Sequence, residues 1–515
     1  MRMEQFLQRL ERAIWGWPLL LLLLGAGLYL LIRLRFLPLR MLSAALRLTL
    51  RPSREKSSGV TAFGALCTSL SATIGTGNMV GVATALSLGG PGALFWMELS
   101  ALTGLALKYA EGLLAVAFRR RNADGGWSGG PFAYIALGLG GRYRALAKAF
   151  SVFGAMAGLC GVGTFVQMGS VSACLTALLS ESGHRLWLVR LPWGAVTPVA
   201  GIAAGLVFSV LALRFLFGGI ETISRFSARI VPLMCGLYLL CCVWILARFA
   251  DRLPAVIGSV LVAAWDPRAF GGGFLGCVTA GVSRGVFSNE AGLGTAPIAA
   301  ASAEGVSPAE QGLISMTATV FDTFLICTLT GLVVLVTDSA GAGVGAAMLA
   351  FARGLPLPAP AAKGLVLLLL SSFAFTTVVG WSFYGTACLD DLTGGSVRCR
   401  KLYLALYGLS IALAPLCSVR GIWSAANVCN ALMALPNVTA ILLLSNRIAE
   451  MSRNILDFQK PIRYNKASKR KERSDQNARG NQRNRSRRRG DRVLRPKRGE
   501  HGPGKIKLPR PGDRI

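Results

Sequence analysis

Charged residues are scarce in this chain of 515 residues, at 15%, whereas a soluble domain of this length carries roughly 25%. Histidine is rarer still, with only His184 and His501. The sequence contains no GxxxxGK[ST] phosphate loop, no HExxH zinc motif and no CxxC pair. These absences argue against an ATP-driven pump, a zinc protease and a cysteine-ligated metal, so we predict neither an enzyme nor a bound cofactor.

Acidic residues are also few, 24 against 55 lysines and arginines, which gives a net charge of +31. The excess is uneven, because residues 451–515 alone carry 22 lysines and arginines and six acids. This basic tail has too little apolar content to fold, so we predict a disordered cytoplasmic segment attracted to anionic lipids. RNA or ribosome contact is the less favoured alternative. The twelve cysteines are scattered through apolar runs and are interpreted as reduced packing residues.

The chain is rich in long apolar runs, with 53% hydrophobic residues and a mean hydropathy of +0.52. Runs of ~17–25 residues recur, the length that a bilayer-crossing helix needs. We therefore predict an all-α polytopic membrane protein with about eleven transmembrane helices. The predicted spans are Trp17–Ile32, Gly59–Leu88, Gly92–Phe118, Ala147–Leu179, Trp193–Phe217, Ile230–Phe249, Gly272–Ala299, Gly312–Thr337, Gly364–Leu389, Leu402–Leu416 and Ile422–Leu444.

Lysine and arginine follow spans one, three, five and nine, whereas the intervening loops carry little charge. The positive-inside rule then places the N-terminus outside and the C-terminus in the cytoplasm of a multi-pass protein of the plasma (inner) membrane. Between spans five and six we predict a cytoplasmic loop, Gly218–Arg229, that carries Glu221 and Arg225.

Residues 71–81, which read SATIGTGNMVG, interrupt the second span with glycines and polar side chains. Non-helical backbone survives at membrane depth only where it lines a cavity or meets a ligand. If the helix opens here, the carbonyls of Ser71–Ile74 can hold a cation, and the half-helix that begins near Gly77 turns its positive end toward a carboxylate. Asn78 can add an oxygen to the cation. The alternative is a packing face, because Gly77 and Gly81 have GxxxG spacing.

Residues 285–294, which read GVFSNEAGLG, interrupt the seventh span in the same way. Glu290 can assist cation coordination, carry a proton, or bond backbone amides left unpaired at the break. Arg284 can pair with Glu290 or mark a gate. Phe287 can close over a small substrate, and Ser288 adds a hydroxyl.

Two sets of five spans each begin with a broken helix, and an odd number of spans gives the sets opposite orientations. This is the inverted-repeat arrangement of the LeuT type, with one extra N-terminal helix. The predicted domains are residues 1–58 (first span and basic cytoplasmic segment), 59–250 (first repeat), 251–450 (second repeat) and 451–515 (basic tail).

Other polar residues lie within apolar spans. Thr376 and Thr377 in span nine can bond their own backbone or offer hydroxyls to Na⁺. Trp381 can wall a small pocket or simply pack, and Gln167 in span four needs partners that a substrate would supply. Glu98, Lys108, Glu111 and Asp322 are interpreted as structural or gating residues, with Lys108 and Glu111 paired on one helix face.

These segments resemble the sodium:alanine (alanine/glycine:cation) symporter family over about residues 10–450. The likeness lies in Gly75–Asn78, in Gly89–Gly92 and above all in Arg284–Pro297. Further matches to the family lie at residues 311–313, at 373–375 together with 380–381, and at 430–433 together with 436–437. The pattern departs at Thr164, where we expect an asparagine, and at Asn427, where we expect an acid.

The resemblance implies a LeuT-type fold and Na⁺-coupled uptake of alanine and/or glycine by alternating access. The implied substrate contacts are Thr76, Gly77, Asn78, Gln167, Phe287, Ser288 and Trp381. The implied Na⁺ ligands are Ser71, Ile74, Thr376 and Thr377, with a second cation position near Asn78. Two alternatives stay open: H⁺-coupled symport with Glu290 as the carrier, and a transporter-like sensor that signals through the basic tail.

Overall fold

The computed structural model describes residues 2–50, 59–122, 125–181, 187–190, 196–266, 273–339, 341, 343–417 and 419–457. The chain divides into two compact units, Met1–Arg453 and Asn454–Ile515. The second unit is described only at its start, so the predicted disordered tail lies outside the described residues, as do the predicted span starts at Trp193 and Gly272. The predicted domain boundaries inside the first unit stay predictions.

Helices dominate the described part of the chain. They are α1 (Arg2–Ile14), α2 (Trp17–Arg33), α3 (Leu37–Arg40), α4 (Leu42–Thr49), α5 (Ala62–Thr73), α6 (Val80–Gly89), α7 (Gly92–Ala117), α8 (Pro131–Gly138), α9 (Arg144–Cys160), α10 (Phe165–Glu181), α11 (Val199–Leu216), α12 (Gly219–Arg248), α13 (Leu253–Ala263), α14 (Gly273–Asn289), α15 (Ala296–Ala300), α16 (Pro308–Thr319), α17 (Thr328–Val336), α18 (Val344–Gly354), α19 (Ala359–Thr393), α20 (Val397–Leu413), α21 (Val419–Leu443) and α22 (Ser445–Asp457).

Shorter elements join some of these helices. A π-helical stretch, Val320–Cys327, links α16 to α17, and 3-10 turns occur at Thr76–Asn78, Gly141–Tyr143, Ala250–Arg252 and Ala414–Leu416. Two antiparallel hairpins pair β1 (Arg120–Arg121) with β2 (Trp127–Ser128), and β3 (Leu188–Arg190) with β4 (Val196–Pro198).

The predicted class, an all-α polytopic membrane protein, is confirmed. Among the described residues, seven helical stretches are long and apolar enough to cross a membrane, and four shorter apolar helices accompany them. The exact number of spans and the orientation of the termini stay predictions. Local signals explain several helix ends: Thr61 accepts the Gly64 amide at 3.0 Å at the start of α5, and Ser307 forms a capping box with Glu310 at the start of α16.

Helix α7 lies at the centre of the first unit and is buried along most of its length. It packs against α14 and α16, and also contacts α2 and α15. Its buried residues include Lys108 and Glu111, so this helix carries charge into the interior of the fold. Helices α5 and α6, the two parts of the first broken span, pack against α19 and α14 respectively.

Two sequence predictions about elements need correction. The predicted span Ala147–Leu179 lies within one candidate membrane span, Gly141–Ser180, but it is not one unbroken helix, because α9 ends at Cys160 and α10 begins at Phe165. Side chains bond backbone carbonyls at this break. Thr164 donates to the Leu159 carbonyl at 2.8 Å, and Gln167 Nε2 donates to the Val162 carbonyl at 3.1 Å.

The predicted loop Gly218–Arg229 is the second error, since α12 runs from Gly219 to Arg248. Ile223, Ser224 and Ser227 are buried along one side of this segment, while Arg225 and Arg229 are exposed. The charged residues therefore lie on the exposed side of a helix. Because they interrupt the hydrophobic run, the run alone does not predict the helix in this segment.

Candidate functional site

The first break lies where the sequence predicts it, between α5 and α6. The Gly75 amide donates to Asn78 Oδ1 at 3.0 Å, which gives a side-chain partner to backbone that the helix no longer pairs. A Cβ on Gly75 would lie 2.7 Å from Thr377 Oγ1 and 3.1 Å from Gln167 Oε1. A larger residue here would push away both side chains, so their close approach to the backbone favours glycine at this position.

Gln167 connects the first break to the break in span four. Its Oε1 accepts a hydrogen bond from the Thr76 amide at 3.1 Å, and its Nε2 donates to the Val162 carbonyl at 3.1 Å. Gln167 is 2% exposed, and both ends of its amide have protein partners. The hydroxyl of Thr76, by contrast, is buried and has no hydrogen-bond partner within the described part of the chain.

The second break begins at Glu290, which has a left-handed backbone with φ of 53°. Its carboxylate accepts hydrogen bonds from Thr295 Oγ1 at 2.5 Å and from Trp381 Nε1 at 3.2 Å. Trp381, on α19, is fully buried. Glu290 thus fixes the aromatic side chain predicted for the pocket, rather than bonding the backbone amides of the break.

Glu111 on α7 is the acid that bonds those amides. Its Oε1 accepts from the Gly294 amide at 3.1 Å and from Asn437 Nδ2 at 2.7 Å. Asn437 also donates to the Gly292 carbonyl at 2.9 Å, and Tyr134 donates to Asn437 Oδ1. This network holds the non-helical backbone after Glu290. Glu111 therefore has a structural role, one of the two roles that the sequence predicts for it.

The two breaks meet at Asp322, in the π-helical stretch between α16 and α17. Its carboxylate accepts from Asn78 Nδ2 at 2.7 Å and from Ser288 Oγ at 2.9 Å, and Thr323 Oγ1 adds a bond of 2.9 Å. Asp322 is fully buried. Single π-turns inside α-helices are rare and frequently mark functional sites. The sequence predicts a structural or gating role for Asp322, and a lone acid in an apolar span is the signal that could have placed it in the site.

Phe287 lies beside the first break, as a pocket residue should. A Cβ on Gly77 would lie 3.6 Å from the Phe287 ring, so this aromatic side chain faces the glycine across a van der Waals distance. Gly77, Asn78 and Phe287 are all buried. The structure therefore brings together substrate contacts predicted from spans that are about 200 positions apart in the chain.

Of the predicted Na⁺ ligands, Thr377 is the one whose hydroxyl reaches the first break, donating to the Ile74 carbonyl at 3.4 Å. Ser71 faces the same helix, since a Cβ on Gly380 would lie 2.9 Å from its Oγ. Ser71 itself donates to the Thr68 carbonyl at 2.8 Å. Thr376 donates to the Phe373 carbonyl at 3.0 Å and lies beside Met234.

The predicted pairing of Arg284 with Glu290 is not among the contacts of the described residues. Glu11, on α1, interacts electrostatically with the Arg284 guanidinium. Glu11 in turn accepts a hydrogen bond from Asn427, the position where the resemblance leads us to expect an acid. Trp15 Nε1 donates to the Asn427 carbonyl at 2.6 Å, so the N-terminal segment is fastened to α21 close to Arg284.

Lys108 is the buried cation of this region. Its Nζ has no hydrogen-bond acceptor among the described residues, so the predicted contact with Glu111 is not formed as a direct bond. Lys108 nevertheless interacts electrostatically with Glu111, Glu290 and Asp322. One lysine thus lies near three buried acids, whose negative charge can be offset by a proton or by a bound cation.

Known proteins resemble this chain over most of its length. It is 37% identical over 462 residues to the sodium/alanine symporter AgcS of Methanococcus maripaludis, covering 87% of this chain and 96% of that protein. It is 40% identical over 471 residues to an uncharacterized transporter of Haemophilus influenzae, covering 90% and 98%. The solved structure of MhsT in complex with L-phenylalanine matches with a TM-score of 0.55 at 15% identity, covering 77% of this chain and 93% of that one.

The likeness to MhsT confirms the predicted LeuT-type fold. The model of the sodium:alanine symporter family matches residues 1–473, which confirms the resemblance that the motifs predicted. The protein is accordingly a membrane transporter and not an enzyme. The chain belongs to the sodium:alanine symporter family.

Proposed function

We propose that this protein imports alanine and/or glycine across the plasma membrane, coupled to Na⁺ and by alternating access. The observation that carries the proposal is the convergence of both broken spans on Asp322, through Asn78 and Ser288. A cation and an amino acid bound at these breaks would each order the same backbone. Each would then strengthen the binding of the other, which is the thermodynamic basis of coupling.

The proposed substrate position lies beside Gly77, Phe287 and Trp381. The amino acid's carboxylate would compete with Asn78 and Gln167 for the amides of the first break. The Thr76 hydroxyl, which has no partner among the described residues, supplies a polar contact. Because the Phe287 ring lies close to Gly77, little room is left beside this glycine for the side chain of a bound amino acid. This favours a small side chain, such as hydrogen or methyl.

The proposed Na⁺ position lies between the carbonyls of Ser71 and Ile74 and the hydroxyls of Thr376 and Thr377. The support is the approach of Thr377 Oγ1 to the Ile74 carbonyl, at 3.4 Å. A second cation would sit beside Asn78, where Asp322 supplies a negative charge and Ser288 a hydroxyl. Oxygen ligands of this kind suit a hard cation.

The test is uptake of labelled alanine by cells that express Asn78→Ala, Gln167→Ala or Thr377→Val. Each variant is expected to abolish Na⁺-driven uptake while the amount of protein in the membrane stays unchanged. Thr386→Val is the matched control and is expected to transport normally, because Thr386 lies on the same helix as Thr377 and its hydroxyl donates to the Ser382 and Phe383 carbonyls of that helix. Full uptake in the three site variants would contradict the assignment of the site.

A second candidate, H⁺-coupled symport, is favoured by one observation. Glu290, Asp322 and Glu111 are all buried and lie near the ammonium group of Lys108. A proton on Glu290 would remove the cost of burying its negative charge. Uptake that follows a pH gradient without Na⁺, and that Glu290→Gln abolishes, would favour this candidate over Na⁺ coupling.

A further inference from the structure

A cavity of about 410 Å³ lies at the junction of α11 and α12 and is lined by Phe215, Thr222, Arg225, Phe226, Arg229 and Ile230. Five of these residues recur at helical spacing on α12, so one face of that helix forms most of the wall. Phe215, near the end of α11, closes the opposite side. The cavity is separate from the two breaks. Part of its wall lies in Gly218–Arg229, the segment that the sequence predicts as a loop.

The apolar side of the cavity is aromatic. The rings of Phe215 and Phe226 lie 4.5 Å apart between centroids, and both pack against Phe375 at 6.0 and 5.9 Å. Ring packing of this kind fixes the side chains and keeps the wall rigid. The wall therefore offers a fixed apolar surface rather than a polar binding cleft.

The polar side consists of two guanidinium groups one helical turn apart. Arg225 and Arg229 are both exposed, and neither lies within 4.0 Å of a carboxylate in the stretches that the structure describes. Arg225 Nε donates to the Glu221 carbonyl at 3.3 Å, and the remaining N–H groups of the pair have no described protein acceptor. Guanidinium groups bind phosphate with two parallel hydrogen bonds, so this pair suits a phosphate monoester or diester.

The surface beyond the cavity is apolar. Leu233, Leu237 and Leu240 continue the row on α12 and are all exposed, at 69%, 38% and 66%. From Arg229 to Leu240 the helix rises about 16 Å, which is close to half of a hydrocarbon core of about 30 Å. A chain of that length leads from the guanidinium pair along the exposed apolar side of α12.

We propose that this cavity binds an anionic phospholipid, with its phosphate on Arg225 and Arg229 and one acyl chain along Phe226, Ile230 and the leucine row. The two arginines without acid partners supply charge complementarity for the headgroup. A soluble phosphate would use only the guanidinium groups and would leave the aromatic wall without a function. A lipid uses both surfaces, and the site needs no contact with the transported substrate.

The test uses the full chain purified in detergent and titrated with dioctanoyl phosphatidylglycerol, with bound lipid counted by native mass spectrometry. The double variant Arg225→Gln/Arg229→Gln is expected to weaken binding about tenfold or more, since two charge-assisted contacts are lost. The matched control is Arg142→Gln/Arg144→Gln, which removes the same charge from two exposed residues outside the cavity and is expected to bind normally. Thr222→Trp, which fills the cavity without changing the charge, is expected to weaken binding as well.

Three results would overturn the proposal. The first is equal binding by the wild-type protein and the Arg225→Gln/Arg229→Gln variant. The second is an equal loss in the control variant, which would show general attraction between charges. The third is binding of glycerol 3-phosphate as tight as that of the lipid, which would make the cavity a site for soluble phosphates.

Discussion

Asp322 accepts a hydrogen bond of 2.7 Å from Asn78, although the two residues are 244 positions apart in the chain. Asn78 belongs to the first break, and Asp322 lies in the π-helical stretch between α16 and α17. Ser288, just before the second break, bonds the other carboxylate oxygen at 2.9 Å. One buried acid therefore joins the two broken spans. We expect a change in its charge to alter the hydrogen bonds at both breaks.

Asp322→Asn is expected to weaken Na⁺ binding, because an amide carries no charge and offers one acceptor oxygen instead of two. The loss of a buried charged partner costs about 1.5–3 kcal/mol, or roughly 10- to 100-fold in affinity. The measurement is labelled-alanine binding as a function of Na⁺ concentration. Asp338→Asn is the control, since Asp338 is exposed beyond the end of α17. Equal Na⁺ dependence in both variants would remove Asp322 from the ion site.

Gly77→Ala is expected to separate glycine from alanine as substrates. The new methyl group would lie 3.6 Å from the Phe287 ring, an ordinary contact that the fold tolerates. It would occupy space that the side chain of alanine needs, and one methyl group is worth about 10- to 200-fold in discrimination.

The readout for Gly77→Ala is the ratio of glycine uptake to alanine uptake, which is expected to rise. Gly81→Ala is the matched control, because a Cβ there meets nothing within 4 Å. An unchanged ratio in Gly77→Ala would place the substrate elsewhere.

Glu290→Gln is expected to retain Na⁺-driven uptake. Glutamine keeps an oxygen for Trp381 Nε1, and the Thr295 hydroxyl can rotate to accept from the new amide instead of donating. The measurement compares uptake under a Na⁺ gradient with uptake under a pH gradient. The exposed residue Glu221 supplies the control variant, Glu221→Gln. Complete loss of Na⁺-driven uptake in Glu290→Gln alone would assign Glu290 a direct role in coupling.

Much of the fold was predictable because its signals are local. Glycines and polar residues inside apolar runs marked the breaks near Gly75 and Glu290, and apolar length marked most spans. The break in span four was missed because its polar residues are few. Its stability depends on Gln167 and Thr164, which bond carbonyls of the broken turn.

The partners of the site residues were not predictable from spacing. Glu290 bonds Trp381 across 91 positions, and Glu111 bonds Asn437 across 326. Such pairs depend on which helices pack together, and packing does not follow from the periodicity of any one helix. Lone acids in apolar spans were nevertheless visible, and Asp322 was one of them.

The most direct test of Na⁺-coupled alanine import is labelled-alanine uptake into proteoliposomes that contain the purified full chain. One set of vesicles receives an inward Na⁺ gradient, and a second set receives a pH gradient in the absence of Na⁺. Na⁺-coupled import predicts accumulation of alanine with the Na⁺ gradient alone. Accumulation only with the pH gradient, or none with either gradient, would contradict Na⁺-coupled import.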